Sequence, residues 1–371
     1  MIKQGHVGTL ELFTTVSIYQ SFALLYHLPN ALGRDAYTGA WLLNLLAGLL
    51  SVLVSLSVCL LLHRFPGKSI IEIAEELLGR WGGLLLSLAV AGFYLYIAAI
   101  STRAAGDSTV STIMLDTPLS VLMAGGLVAI AAVSYLGLES LTRTALIFSP
   151  FILLGFGLVI CLSLPDAHWD AIYPLLGTPL PSLLQSSGKF AFTVHDCFFM
   201  AILAPYLRQP KSVFRVTFWS IMLVTVLGTV LILVVEAVLS YPSFKLVGFP
   251  VYEVVRLIYI GRFLQRIEAL FVVMVVVVSL VYSSMAFHTG ILALAQGWKL
   301  SDWRPLVFPW AVIVFSLGIL PRDSVVVGRW YYSLGNALLF SVLFVLLPMF
   351  LYTIAVLKGK KGGRQVEEQS G

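Results

Sequence analysis

The chain has 371 residues, of which 59% are apolar and only 11% charged, where a soluble domain carries about 25% charge. That leaves too little polar surface to coat a water-soluble fold of this length. The net charge of +5 is modest, and no basic run interleaved with aromatic residues points to a nucleic-acid partner. Apolar stretches longer than about 18 residues recur along the chain, so it is read as an all-α integral membrane protein.

Ten spans are expected, at about 8–33, 40–63, 82–106, 118–137, 144–164, 187–207, 216–240, 264–296, 304–321 and 331–357. Only Lys3 precedes the first apolar stretch, which runs to Gly33 and is too long for a cleavable signal. It is taken as the first span. Residues 1–357 then form one transmembrane domain, and 358–371 a short basic tail suited to anionic lipid.

The first span carries Gln20-Ser21 at its middle and Tyr26-His27-Leu28-Pro29 beyond. Pro29 cannot donate to the carbonyl of Leu25, so either a simple proline kink or a break lining a cavity is expected. After the second span, Phe65-Pro66-Gly67-Lys68 signals a turn. Ser69 and Glu72 form a capping box that should open a short helix ending near Gly79. The third span contains Tyr94 and Tyr96 as pocket candidates, and Arg103 with Asp107 at an ion-pair spacing.

The sixth span reads Phe190-Ala191-Phe192-Thr193-Val194-His195-Asp196-Cys197. An ionised group at the centre of a span costs about 2.5–3.5 kcal/mol on insertion scales. His195 and Asp196 therefore should face a cavity or a partner. A hydrogen bond between helices, with Asp196 kept neutral by burial, is the structural alternative. Between the seventh and eighth spans, Pro242 and Pro250 bracket an amphipathic stretch with Glu253 and Arg256, expected as a helix over 251–260. The eighth span holds Tyr282-Ser283-Ser284, whose hydroxyls could coordinate an ion or serve in packing. Glu236 and His288 are expected near span ends, reaching for the interface.

Lys and Arg divide unevenly between alternate loops. Fourteen of the 23 fall on the side of both termini, and nine, including Arg34, Lys189 and Arg329, fall on the other. The bias places both termini in the cytoplasm. Cys59, Cys161 and Cys197 lie within apolar stretches and are expected as buried thiols acting as small hydrophobes rather than metal ligands. No catalytic signature, metal site, cofactor motif or phosphate loop is present, so an enzyme is not expected.

Several stretches taken together resemble a known family. Arg64-Phe65-Pro66-Gly67-Lys68 with Ile70, Ile71 and Glu72, followed by Leu78-Gly79-Arg80-Trp81, is similar to a cytoplasmic helix of the endospore germination permeases. These are the B subunits of Ger-type nutrient receptors. Phe249-Pro250-Val251-Tyr252-Glu253, the run from Phe263 to Phe271, and Asp302-Trp303-Arg304-Pro305-Leu306 resemble the family in the same order. The likeness covers roughly residues 7–320.

The family belongs to the amino acid–polyamine–organocation transporter superfamily. The resemblance implies a LeuT-type bundle of two inverted five-helix repeats, about 8–164 and 187–357. A ligand would lie at mid-membrane between broken spans one and six, with spans three and eight beside it. It implies substrate-binding roles for Ser21, Phe22, Ala23, Leu24, Tyr94, Phe192, Thr193, His195 and Asp196, and a possible ion site at Ser283 and Ser284. The sequence departs from the family at His195-Asp196, where a Gly-Glu pair is expected. It departs again at Ser21-Phe22-Ala23-Leu24, where smaller residues are expected, and it lacks a Lys near Tyr282. The implied function is sensing of a small nutrient, an amino acid foremost, by the inner membrane of an endospore together with A and C subunits. A proton- or sodium-coupled amino-acid transporter is the alternative, and a structural membrane scaffold a third.

Overall fold

In hydrocarbon the backbone has no water to bond, so each apolar run satisfies its own amides by coiling into a helix. The computed structural model describes residues 5–193, 198–258, 267–322 and 324–361. Its helices are α1 (Thr9–Leu25), α2 (Leu28–Ala36), α3 (Ala40–Arg64), α4 (Ile70–Leu78), α5 (Arg80–Thr112), α6 (Leu119–Leu136), α7 (Leu138–Ser163), α8 (Leu180–Thr193) and α9 (Phe199–Leu203). The rest are α10 (Val213–Leu239), α11 (Ser243–Leu246), α12 (Pro250–Leu257), α13 (Ile267–Gly297), α14 (Val307–Ile319), α15 (Ser324–Tyr331), α16 (Leu334–Ser341) and α17 (Leu347–Leu357). Seven helical stretches among the described residues are long and apolar enough to cross a bilayer. The other three expected spans contain the shorter α1, α8 and α14, of 17, 14 and 13 residues.

Burial sorts the helices. The most apolar window of α13 is 67% buried within the protein, while those of α6 and α7 are only 22% buried and present their Leu, Val and Ile side chains outward. The long α5 and α13 therefore form the centre, packed along each other, with α1 and α10 beside them. Close packing replaces the hydrophobic effect between helices in lipid, and it needs small residues at the contacts. On α3, a Cβ added at Gly48 would stand 2.1 Å from Thr225 Oγ1 of α10; at Gly228 it would stand 2.6 Å from Leu24 of α1.

At two prolines inside spans a carbonyl loses its usual donor four residues later, and a serine hydroxyl supplies one. Pro150 in α7 frees Leu146, whose carbonyl accepts from Ser149 Oγ at 2.9 Å. Pro348 at the start of α17 frees Phe344 within a π-helical turn, Val342–Leu346. Ser57 Oγ of α3 donates to that carbonyl at 3.1 Å, sharing its proton with Val54 O at 2.8 Å.

The capping box opens α4 as expected. Ser69 Oγ accepts from Glu72 N at 3.2 Å, Glu72 Oε2 accepts from Ser69 N at 2.9 Å, and Gly79 closes the helix at φ +85°. Basic side chains collect at its C-terminal end, where the helix dipole is negative. Lys358 Nζ donates to Leu77 O and Lys360 Nζ to Glu76 O, both at 2.8 Å, and Lys299 pairs with Glu75 at 2.6 Å. The first residues of the basic tail are therefore docked on α4.

At the opposite face, α12 spans Pro250–Leu257 with Glu253 and Arg256 paired at 3.1 Å; residues 259–266 lie outside the described residues. Arg103 pairs with Asp107 at 2.8 Å and also donates to the carbonyls of Gly318 and Ile319 at the end of α14 and of Arg322 beyond it.

Three expectations need correction. Glu236 is 4% exposed and faces the backbone of Ala40 and Trp41 in the first turn of α3 rather than the interface. A carboxyl there meets the positive end of a helix dipole. His288 is fully buried and meets Trp303 edge-on at 6.0 Å. Cys161 is exposed on the outer surface of α7, whereas Cys59 is buried.

Candidate functional site

The first span does not kink at Pro29; it breaks before it. α1 ends at Leu25, Tyr26 leaves the helical region at φ −108°, ψ −107°, and α2 starts at Leu28 with Pro29 in its first turn. Proline suits that place, where the missing amide had no acceptor to serve. Gln20 and Ser21, marked in the sequence as the interruption, remain helical and buried.

A cavity of about 130 Å³ opens at this break between α1, α3, α5, α10 and α13. Phe22, Ala23 and Leu24 line it from α1, as do Asn44, Gly48 and Ser51 from α3 and Thr225 from α10. One wall is a stack of aromatic rings. Tyr282 of α13 lies between Tyr19 and Phe22, with centroids 4.1 Å away on both sides, and Phe22 stacks on Tyr26 at 4.4 Å. Tyr26 donates to Ser279 Oγ at 2.5 Å, and Ser279 donates onward to Val275 O at 2.6 Å, which anchors the break to α13.

Polar groups in the cavity wall are few and mostly engaged. Asn44 Nδ2 donates to Thr225 O at 3.2 Å and to Thr229 Oγ1 at 3.0 Å. Ser101 shares a 2.8 Å bond with Ser283. Among the described residues no Asp, Glu, Lys or Arg lines this cavity. An apolar, aromatic-walled hollow with a few fixed polar groups suits a small neutral or zwitterionic molecule with an apolar body.

The residues singled out in the sequence fall in different places. Phe22, Ala23 and Leu24 meet at the cavity. Ser21 is outside its lining and donates to Ser17 O at 2.7 Å. Tyr94 is buried among α5 and α13, edge-on to Phe93 at 5.2 Å and against Gly290, away from the cavity lining. Ser283 faces Ser101, and Ser284 is buried beside it in α13. Phe192 and Thr193 belong to α8, but their side chains, like all of His195 and Asp196, lie outside the described residues. Phe190, one turn earlier, does line the cavity. Sequence reasoning missed the share of spans two and seven. Asn44, Gly48 and Ser51 recur at helical spacing through an otherwise apolar α3, and that stripe was the available signal.

At its α2 end the cavity meets a second one, of about 210 Å³, with His27, Gly328 and Tyr332 lining both. Gly328 is required at this neck, since a Cβ there would lie 2.9 Å from the His27 ring. The second cavity is polar: Arg34, Asp35, Lys189 and Arg329 stand around it, and Lys189 is paired with Asp35.

A membrane bundle whose first span is broken beside a central aromatic cavity is the architecture of the LeuT-type transporters. The fold matches Mhp1, a nucleobase-cation-symport-1 family transporter solved closed with bromovinylhydantoin bound, with a TM-score of 0.68 at 14% identity over 92% of this chain and 78% of that one. MhsT, solved in complex with L-phenylalanine, matches with a TM-score of 0.68 at 12% identity over 97% and 91%. The family model described as "Spore germination protein" matches residues 6–324, and the chain belongs to that family. Spore germination protein A2 of Bacillus subtilis (strain 168) is 24% identical over 94% of this chain and 96% of its own length. Spore germination protein KB of the same organism is 22% identical over the whole of both.

Proposed function

We propose that this protein is the germinant-sensing membrane subunit of a spore nutrient receptor and binds a small nutrient, an amino acid with an apolar side chain foremost, in the cavity at the break of α1. The observation that carries the reading is the uncharged, aromatic-walled hollow at that break. It combines a place for an apolar side chain with a break in the helix of the first span, which structures tolerate at membrane depth where it is buried in protein or lines a cavity. L-Phenylalanine, the ligand in the MhsT structure, is of the class that such a wall favours. Binding would bias the bundle between two arrangements and pass the difference to A and C subunits in the endospore membrane.

The test is a thermal-shift screen of the purified protein with amino acids, nucleosides and sugars. A ligand that binds only the folded state at 100 times its Kd adds about 2.7 kcal/mol of stability. Stabilisation by apolar amino acids, lost in Tyr282→Ala, is the expected result; a screen with no stabilising amino acid would end the proposal.

The likeness to two transporters favours a second reading, a proton- or sodium-coupled amino-acid transporter. Concentrative uptake by the lone chain in proteoliposomes selects it. Binding without uptake, with A and C subunits co-purifying, selects the receptor.

A further inference from the structure

The polar cavity beyond the neck has no part in the reading above. Three of the nine cations counted on one side of the membrane, Arg34, Lys189 and Arg329, converge on it from α2, α8 and α15. A single carboxylate, Asp35, answers them, and it is taken by Lys189. Among the described residues no acidic side chain lies within ion-pair distance of Arg34 or Arg329. The two guanidinium-bearing residues line the same hollow, with Asp35 beside them.

Crowding like charges around a hollow is unfavourable unless an anion is supplied. Arg34 and Lys189 are both partly withdrawn from solvent, and Arg329 stands exposed at the rim. Arginine offers a planar fork of donors that matches a carboxylate in two parallel bonds, and that is why it recurs where carboxylates are recognised. The remaining wall also has hydrogen-bonding character. Asn30 holds the rim in place, with Nδ2 donating to Lys245 O at 2.6 Å and to Val247 O at 2.7 Å.

We infer that this vestibule is a binding site for a small organic carboxylate, held between Arg34 and Arg329, with the Lys189–Asp35 pair setting its affinity. The site is distinct from the aromatic cavity and opens onto it through the neck at His27, Gly328 and Tyr332. Lys189 is held in reserve: Asp35 is its competing partner, so an incoming carboxylate gains two guanidinium groups at once and the ammonium only by displacing Asp35.

Succinate is a suitable probe because it has no apolar body to enter the aromatic cavity. Calorimetric titration is done on the full-length protein in nanodiscs of neutral phosphatidylcholine, in low-chloride buffer. Saturable succinate binding is expected, with none for succinamide. Arg34→Gln and Arg329→Gln each weaken it at least tenfold. Asp35→Asn tightens it severalfold, because Lys189 is released and the hollow gains one net positive charge. Should Arg34→Gln not fold, the exposed Arg329 carries the test alone. Equal binding of succinamide, binding indifferent to Arg329→Gln, or no gain in Asp35→Asn overturns the proposal. Tighter binding of inorganic phosphate, or displacement of succinate by phosphatidylglycerol added to the nanodisc, overturns the carboxylate assignment in favour of free phosphate or a lipid headgroup.

Discussion

The aromatic wall makes a quantitative test of whether α1 and α13 are joined at the cavity. Phe22 stacks on Tyr282 at 4.1 Å with planes 13° apart and on Tyr26 at 4.4 Å. Each aromatic pair contributes about 0.5–1.5 kcal/mol beyond area burial. Phe22→Leu keeps an apolar body of similar reach and removes both stacks, so a loss of about 1–3 kcal/mol is expected. Tyr282→Leu removes the stacks on Phe22 and on Tyr19, with a loss of the same order. The Phe22–Tyr282 pair is counted in both, so the double variant should lose less than the two losses combined, by about 0.5–1.5 kcal/mol. Denaturant unfolding in mild detergent measures all four corners of the cycle. Additivity within about 0.3 kcal/mol would show that the rings are neighbours without mutual stabilisation. The wall would then be a consequence of helix packing rather than a built surface.

Four further outcomes are expected. Ser57→Ala leaves the carbonyl of Phe344 without its side-chain donor and should cost about 1 kcal/mol, read in the same unfolding assay; no change would mean that the π-helical turn satisfies itself. Gly48→Ala drives a methyl into Thr225 and should cost about 1–3 kcal/mol by overpacking, with weaker ligand stabilisation in thermal shift; an unchanged Tm would show that α3 and α10 part freely. Asp196→Asn, argued from its place in the sixth span, should weaken nutrient binding at least tenfold, about 1.4 kcal/mol, with little loss of stability; equal binding from pH 5 to 8 would remove its charge from recognition. Single cysteines replacing Lys3 and Lys358 should label from the same side of sealed vesicles, and labelling from opposite sides would refute the orientation argued from the Lys/Arg count.

The spans were legible because the bilayer permits only self-satisfied backbone, which forces a long apolar run to declare itself. The start and stop of α4 were legible too, since Ser69, Glu72 and Gly79 act within one turn of their own helix. Pro29 marked the break in the first span to within four residues. It did not tell whether the helix would bend or end, because that depends on whether Ser279 stands across from Tyr26. Glu236 and His288 were misjudged because exposure depends on what packs against a helix, and periodicity gives only the face. The wall formed by Asn44, Gly48, Ser51 and Thr225 required knowing that α3 and α10 are neighbours. The convergence of Arg34, Lys189 and Arg329 was likewise hidden: in a loop-by-loop count they are three isolated charges.

The latch on α4 has a consequence for how the protein is made. Its partners lie far downstream: Lys299, Lys358 and Lys360 follow the residues they hold by 224, 281 and 284 positions. At about 5–20 residues per second, a ribosome delivers Lys358 roughly 15–55 s after Leu77. For that interval the carbonyls of Glu76 and Leu77 wait without Lys360 and Lys358. The lock on α4 thus forms only after the tenth expected span has been made. A variant truncated after Leu357 would hold the ten expected spans yet leave α4 without Lys358 and Lys360, and faster limited proteolysis at Gly79 than in the untruncated chain would show it.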